Sequence, residues 1–241
     1  MACYLRSVWL CAALIVAAIC LGCGGTGKAP SSTPPEALQD EARRVDAGAI
    51  DQAIAAVERG ESAELLLQGA GVTGADLRRI GRLHSLRELN LGTQPVDLGD
   101  DDLLALRDLA RLEVLVLGAA PISDDGLAAV RGMRELKRLN VTDTRITDDG
   151  LAILAELPKL ESLRIGGALI TDQGMAHLKK LKQLKALILH DCPLTDGSLS
   201  YLREMRHLES LYLFGTSISD QGLSGLEEAL RAGPWPVHVH Y

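Results

Sequence analysis

Aromatic residues are scarce in this chain. They make up 3% of its 241 residues, and Phe214 is the single phenylalanine. With so few rings, the position of each one carries weight. Positive charge is also short: 25 Lys and Arg face 32 Asp and Glu, for a formal net charge of −7, one unit more negative without Arg6. That balance argues against nucleic acid as a partner, because a phosphate backbone demands a basic surface. Cysteine occupies 5 positions. Cys3, Cys11, Cys20 and Cys23 crowd the start and Cys192 stands alone in the body, so no intramolecular disulfide is expected once that start is processed. The sequence has no phosphate-binding glycine loop and no G-x-S-x-G elbow; Gly22 to Gly27 is glycine-rich but belongs to a targeting segment. The apolar run Val8–Leu21 has 14 residues, short for a membrane span and suited to a signal-peptide core. No catalytic group and no cofactor site emerges, so the reading is of a binding protein rather than an enzyme.

What is present is a repeat. Leu65, Leu89, Leu115, Leu139, Leu163, Leu187 and Leu211 recur at 24 residues, apart from one interval of 26 between Leu89 and Leu115. Such self-similarity marks a solenoid, whose units bury their apolar faces against one another. Apolar positions two apart, as at Leu115 and Leu117, suit a short strand. Apolar positions three apart, as at Leu151, Leu154 and Leu157, suit one face of a short helix. One strand and one helix per unit predicts an α/β solenoid with a curved parallel sheet on the concave face and short helices on the convex face.

Two motifs carry a family resemblance. L-x-x-L-x-L is seen at Leu136-x-x-Leu139-x-Val141, Leu160-x-x-Leu163-x-Ile165 and Leu208-x-x-Leu211-x-Leu213. I-[ST]-D-x-G-[LM] is seen at 122–127, 146–151, 170–175 and 218–223, with a weaker copy at 194–199 where Ser198 replaces glycine. Over residues 61–233 the chain resembles the leucine-rich repeat family, in about seven units of the I-T-D-x-G-L type. The after-strand position holds Ala70, Gln94, Ala120, Thr144, Ala168, Cys192 and Thr216, so the family's asparagine ladder is absent. Ser123, Thr147, Thr171, Thr195 and Ser219 stand where a hydroxyl caps a helix. The aspartates that follow complement the helix dipole. They are read as repeated helix starts, with a calcium or cationic-partner site as the sharper alternative.

The ends read differently. Cys20-Leu21-Gly22-Cys23 resembles a bacterial lipoprotein cleavage box, with Cys20 departing from the usual aliphatic residue. The resemblance implies a signal peptide over 1–22, lipid on Cys23 and a membrane-tethered protein of the bacterial cell envelope. An ordinary secretory signal and an uncleaved anchor are the alternatives. Residues 23–35, rich in Gly, Pro, Ser and Thr, read as a tether. Residues 36–60 read as a capping helix with Leu38, Ala42, Val45, Ala49, Ala53 and Val57 on its apolar face and Gly60 as its stop. Residues 234–241 read as a closing strand, with Trp235 covering the core.

In the leucine-rich repeat family the strand residues between the leucines face the concave side, which commonly binds proteins. The resemblance therefore implies an unidentified protein ligand there. The candidates are Arg138, Asn140, Arg164, Ile188, His190, Asp191, Tyr212 and Phe214, with Tyr212 and Phe214 beside Ile188 as the hot spot. The alternative tucks Phe214 under the last strand with Tyr212 covering it. His190, His238 and His240 raise a metal site, against the plainer reading of polar residues near an edge strand. His84, His177 and His207 fall at variable surface positions. Competing roles are an intracellular substrate adaptor and a structural envelope protein without a dedicated partner.

Overall fold

The repeat leucines become strands because alternation puts every second side chain on one face, and seven successive units offer the same apolar seam. The computed structural model describes residues 48–67, 71–92, 97–231 and 237–241. The proposed signal peptide, Cys23, the tether, the first part of the capping helix, and Gln68, Ala70, Gln94 and Trp235 lie outside the described residues.

Among the described residues, eight parallel strands pair in chain order: β1 (Glu64–Leu66), β2 (Glu88–Asn90), β3 (Val114–Val116), β4 (Arg138–Val141), β5 (Ser162–Gly166), β6 (Ala186–His190), β7 (Ser210–Phe214) and β8 (His238–His240). The seven repeat leucines stand in one register row that ends on Val239. All seven are at most 2% exposed, and each contributes about 1.5–3 kcal/mol by leaving water. The 26-residue interval does not disturb this register, since Leu89 still faces Leu115. A second seam runs through Leu67, Leu91, Leu117, Val141, Ile165, Leu189 and Leu213, all buried.

Short helices return the chain on the other side: α1 (48–58), α2 (Gly74–Ile80), α3 (Asp100–Leu104), α4 (Asp124–Leu127), α5 (Asp148–Leu154), α6 (Met175–Leu178), α7 (Leu199–Leu202) and α8 (Asp220–Arg231). The fold is thus a parallel sheet flanked by short helices in a solenoid of leucine-rich-repeat form.

The I-[ST]-D-x-G motif locks one coil to the next. The Thr147 hydroxyl accepts the Asp149 amide at 3.2 Å and so caps its own helix. Its backbone N–H and hydroxyl also donate to the Asp124 carboxylate of the preceding coil, at 2.9 and 2.6 Å. The same pair of bonds joins Ser123 to Asp100, Thr171 to Asp148, Thr195 to Asp172 and Ser219 to Asp196. Each carboxylate in the row meets two donors, which offsets the repulsion between its neighbours. The motif glycine makes room for it: a Cβ on Gly150 would run into Asp124 Oδ1 and Ile146 Cγ2, and Gly126, Gly174 and Gly222 are crowded in the same way by Asp100, Asp148 and Asp196.

Three details differ from the sequence reading. The buried face of α1 is Ile50, Ile54 and Val57, while Ala49 is exposed; branched side chains bury more apolar area than alanine and turn the helix that way. This helix ends at Gly60 with φ +73°. There the Glu61 amide reaches back to the Ala56 carbonyl and the Gly60 amide to that of Val57, a Schellman stop. The after-strand positions do not behave as one ladder. Ala120 and Cys192 are buried, Thr144 and Thr216 half-buried, and Ala168 is exposed after the Gly166–Gly167 pair. Thr144 satisfies its hydroxyl on the Val141 carbonyl at 3.0 Å. His177 and His207 are half-buried rather than surface residues, each with one ring nitrogen lacking a hydrogen-bond partner, whereas His84 is exposed.

Candidate functional site

Three rows of side chains cross the open face of the sheet, because leucines claim the alternate positions. One row runs Glu64, Glu88, Val114, Arg138, Ser162, Ala186, Ser210, His238. The next runs Leu66, Asn90, Val116, Asn140, Arg164, Ile188, Tyr212, His240. At the C-terminal ends of the longer strands a third row sets Gly166, His190 and Phe214 side by side.

The rows change character along the sheet. At its start, Glu64 and Glu88 stand on neighbouring strands. Burial pushes the Glu88 carboxyl up; Arg138 draws it back down and Glu64 adds to the rise. In the middle come Arg138 and Arg164. Arg138 is exposed and makes no ion pair with any described residue, and Arg164 Nε lacks an acceptor. Asn140 turns its carboxamide oxygen to the Thr142 amide and hydroxyl, at 3.1 and 2.7 Å, and so braces the strand exit.

The far end is aromatic. Tyr212 stacks on His240, centroids 4.3 Å apart and planes 10° from parallel. Phe214 lies 5.7 Å from Tyr212 and keeps 40% of its surface exposed. It is not tucked beneath β8, because that strand pairs with Ser210–Tyr212 and stops short of Phe214. Ile188 is next to Tyr212 in register and half-buried. His190 Nδ1 stands 3.0 Å from Asp191 Oδ2, without hydrogen-bonding geometry. Asp191 holds φ +53°, as Asp143 holds φ +58° two strands earlier. Aspartate tolerates this left-handed turn better than most residues, and both exposed carboxylates are thereby fixed at the rim.

The candidates therefore divide. Ile188, His190, Tyr212 and Phe214 form one neighbourhood on β6 and β7, with Asp191 at its edge and Arg164 beside Ile188. Arg138 and Asn140 lie on β4, next to Arg164 on one side only. His190 and the β8 histidines are separated by β7, and no three His, Cys, Asp or Glu gather as a metal site among the described residues. Burial pushes the Cys192 thiol up to about 11, away from thiolate reactivity.

A further regularity of the repeat lies outside both sequence motifs. Two residues before each repeat leucine from Leu89 onward, charge alternates as Arg87, Glu113, Lys137, Glu161, Lys185, Glu209. Arg87 and Lys137 both pair with Glu113, and Lys185 reaches Glu161 at 2.9 Å. Lys137 and Arg87 hold the Glu113 carboxyl below its ordinary value. The signal lay in the sequence as sign alternation at the repeat spacing.

The family described as Leucine Rich repeat matches residues 133–155 and 204–226. Among solved structures, an internalin from Listeria monocytogenes str. 4b F2365 is similar with a TM-score of 0.60 and 22% identity, covering 85% of this chain and 55% of that one. Internalin C2 of the same strain gives a TM-score of 0.48 at 24% identity, covering 65% and 60%. The chain thus spans little more than half the length of these proteins, and the first likeness is one of fold. Among curated proteins, none matches this sequence. The leucine seam and the likeness to the first internalin give this chain the fold of a leucine-rich-repeat solenoid, and two of its repeats match that family's model.

Proposed function

We propose that this solenoid is a recognition module that captures a protein partner on its concave sheet, centred on Ile188, Tyr212 and Phe214 and extended by Arg164, His190 and Asp191, with Arg138 and Asn140 at its margin. The observation that carries this reading is the exposed Phe214 beside a stacked Tyr212 in a chain with so few rings. Rings in such a setting supply large contact area at small entropic cost, next to unpaired cationic groups. The partner is a protein rather than nucleic acid, and no cofactor takes part.

The same proposal holds the module at a membrane of the bacterial cell envelope. Residues 1–22 direct export, Cys23 carries lipid, 24–35 form the tether, and the segments 36–60 and 234–241 close the two ends of the repeat array. Its support is the cleavage-box sequence around Cys23. Among the described residues no helix is long and apolar enough to cross a membrane, so attachment in this account rests on the chain start.

Affinity capture from cells tests the recognition surface. Tyr212→Ala and Arg164→Glu are expected to reduce recovery of the dominant partner at least about tenfold, the loss of one hot-spot contact, with thermal unfolding nearly unchanged. Full recovery by both variants would remove this patch.

A further inference from the structure

The repeat sorts charge between the two edges of the solenoid. Each helix-to-strand segment lies along one edge and each strand-to-helix segment along the other. The six helix-to-strand segments 80–88, 106–114, 130–138, 154–162, 178–186 and 202–210 carry fifteen Lys and Arg against eight Asp and Glu. The strand-to-helix segments 97–105, 118–129, 142–153, 166–177, 190–201 and 214–225 carry thirteen Asp and one Arg. A chain of net charge −7 therefore has one basic edge.

Segments 130–138 and 178–186 carry four Lys and Arg each, and 178–186 holds no Asp or Glu. Lys180, Lys182, Arg203 and Arg206 are exposed and form no ion pair with any described carboxylate. Lys182 and Arg206 occupy the same position in successive coils, 24 residues apart. Strand spacing of about 4.8 Å places them within one Debye length of each other, so they act on a shared field. The hollow beside them, lined by Pro158, Lys180 and Lys182 together with Glu156, is only half enclosed. The array suits an extended anionic plane rather than one enclosed anion.

We infer that this basic edge docks on a bilayer surface of anionic phospholipid headgroups. The exposed lysines and arginines supply the attraction, and the aspartate-rich edge faces away. A flat surface meets the basic edge alone, whereas a wrapping polyanion would also meet the aspartates. The solenoid would then stand edge-on, with its concave sheet open to a partner. The inference rests on the membrane half of the proposed function.

The test uses the full chain with vesicles of phosphatidylcholine alone and of three parts phosphatidylcholine to one part phosphatidylglycerol. Binding to the neutral vesicles reads the apolar start of the chain, which is indifferent to headgroup charge. The excess on anionic vesicles reads the edge. Each basic residue removed should weaken that excess about fivefold, so Lys180→Glu, Lys182→Glu and Arg206→Glu together should reduce it more than about a hundredfold. Neutral-vesicle binding should not change, and Asp149→Asn on the opposite edge should leave the excess intact. High salt should abolish the excess. An anionic excess that survives the triple variant, or no excess in the native chain, overturns the inference. Salt-sensitive self-association without an excess does so too, since it assigns the edge to the aspartates of a second copy. Loss of neutral-vesicle binding with the excess retained would instead count against the anchor while supporting the edge.

Discussion

Asp124 shows at the residue scale why a row of like charges is tolerated. Its two oxygens are each held by a donor from the next coil, and Gly150 is small because that carboxylate lies over it. Helix propensity alone would make Gly150→Ala stabilising by about 1 kcal/mol. Overlap with Asp124 and Ile146 reverses the sign, and urea unfolding should show a loss of about 1–3 kcal/mol. A gain in stability would contradict the packing. His207 gives a pH dependence. Burial, joined by the charge of Lys182, holds its imidazole below the ordinary value near 6.5, against a weaker opposing pull from the Leu181 backbone. The unfolded chain therefore takes up a proton first as pH falls. The stabilisation is complete above about 6.5 and is lost on descending towards the lower folded value. The melting temperature of His207→Gln should fall less than that of the native chain between pH 7 and pH 5. Parallel profiles would remove this histidine from the account.

At the scale of elements, the strands were legible because the two-residue alternation and the 24-residue period agree, and Leu163 sits where both point. Leu163→Ala opens a cavity between β4 and β6 and should cost about 2–5 kcal/mol by denaturant titration; a negligible cost would contradict the register. Other elements were less legible for physical reasons. The apolar spacing on α1 places Val57 correctly in the core but passes through Ala49, whereas Ile50 and Ile54 have more surface to hide and take the buried side. The after-strand turn could not be read from side-chain type, since backbone conformation decides it. Asp143 and Asp191 fill left-handed positions there, and Gly167 (φ +138°) and Gly215 (φ +66°) take the corresponding ones. Phe214 was legible as a concave residue, but its exposure depends on where β8 ends, a property of pairing rather than of the motif. The alternating charges before the strands were visible at the repeat spacing and carried no motif that would draw attention.

At the scale of the whole repeat array, buried leucines fill one side of each strand and leave a sheet surface whose chemistry is free to vary. Acidic residues at its start give way to Arg138 and Arg164, and then to the Tyr212–His240 stack and Phe214. The aspartate lock and the charge alternation keep successive coils in register, so this surface is presented as one continuous platform. A photoreactive side chain introduced singly at Asn140, Arg164 or Phe214, and for comparison at Asp149 or Ser200 on the helix side, tests the account in living cells. Capture of one dominant protein from the sheet positions, with none from the helix positions, is the predicted result. Capture of that protein from the helix side alone, with the sheet positions silent, would contradict it.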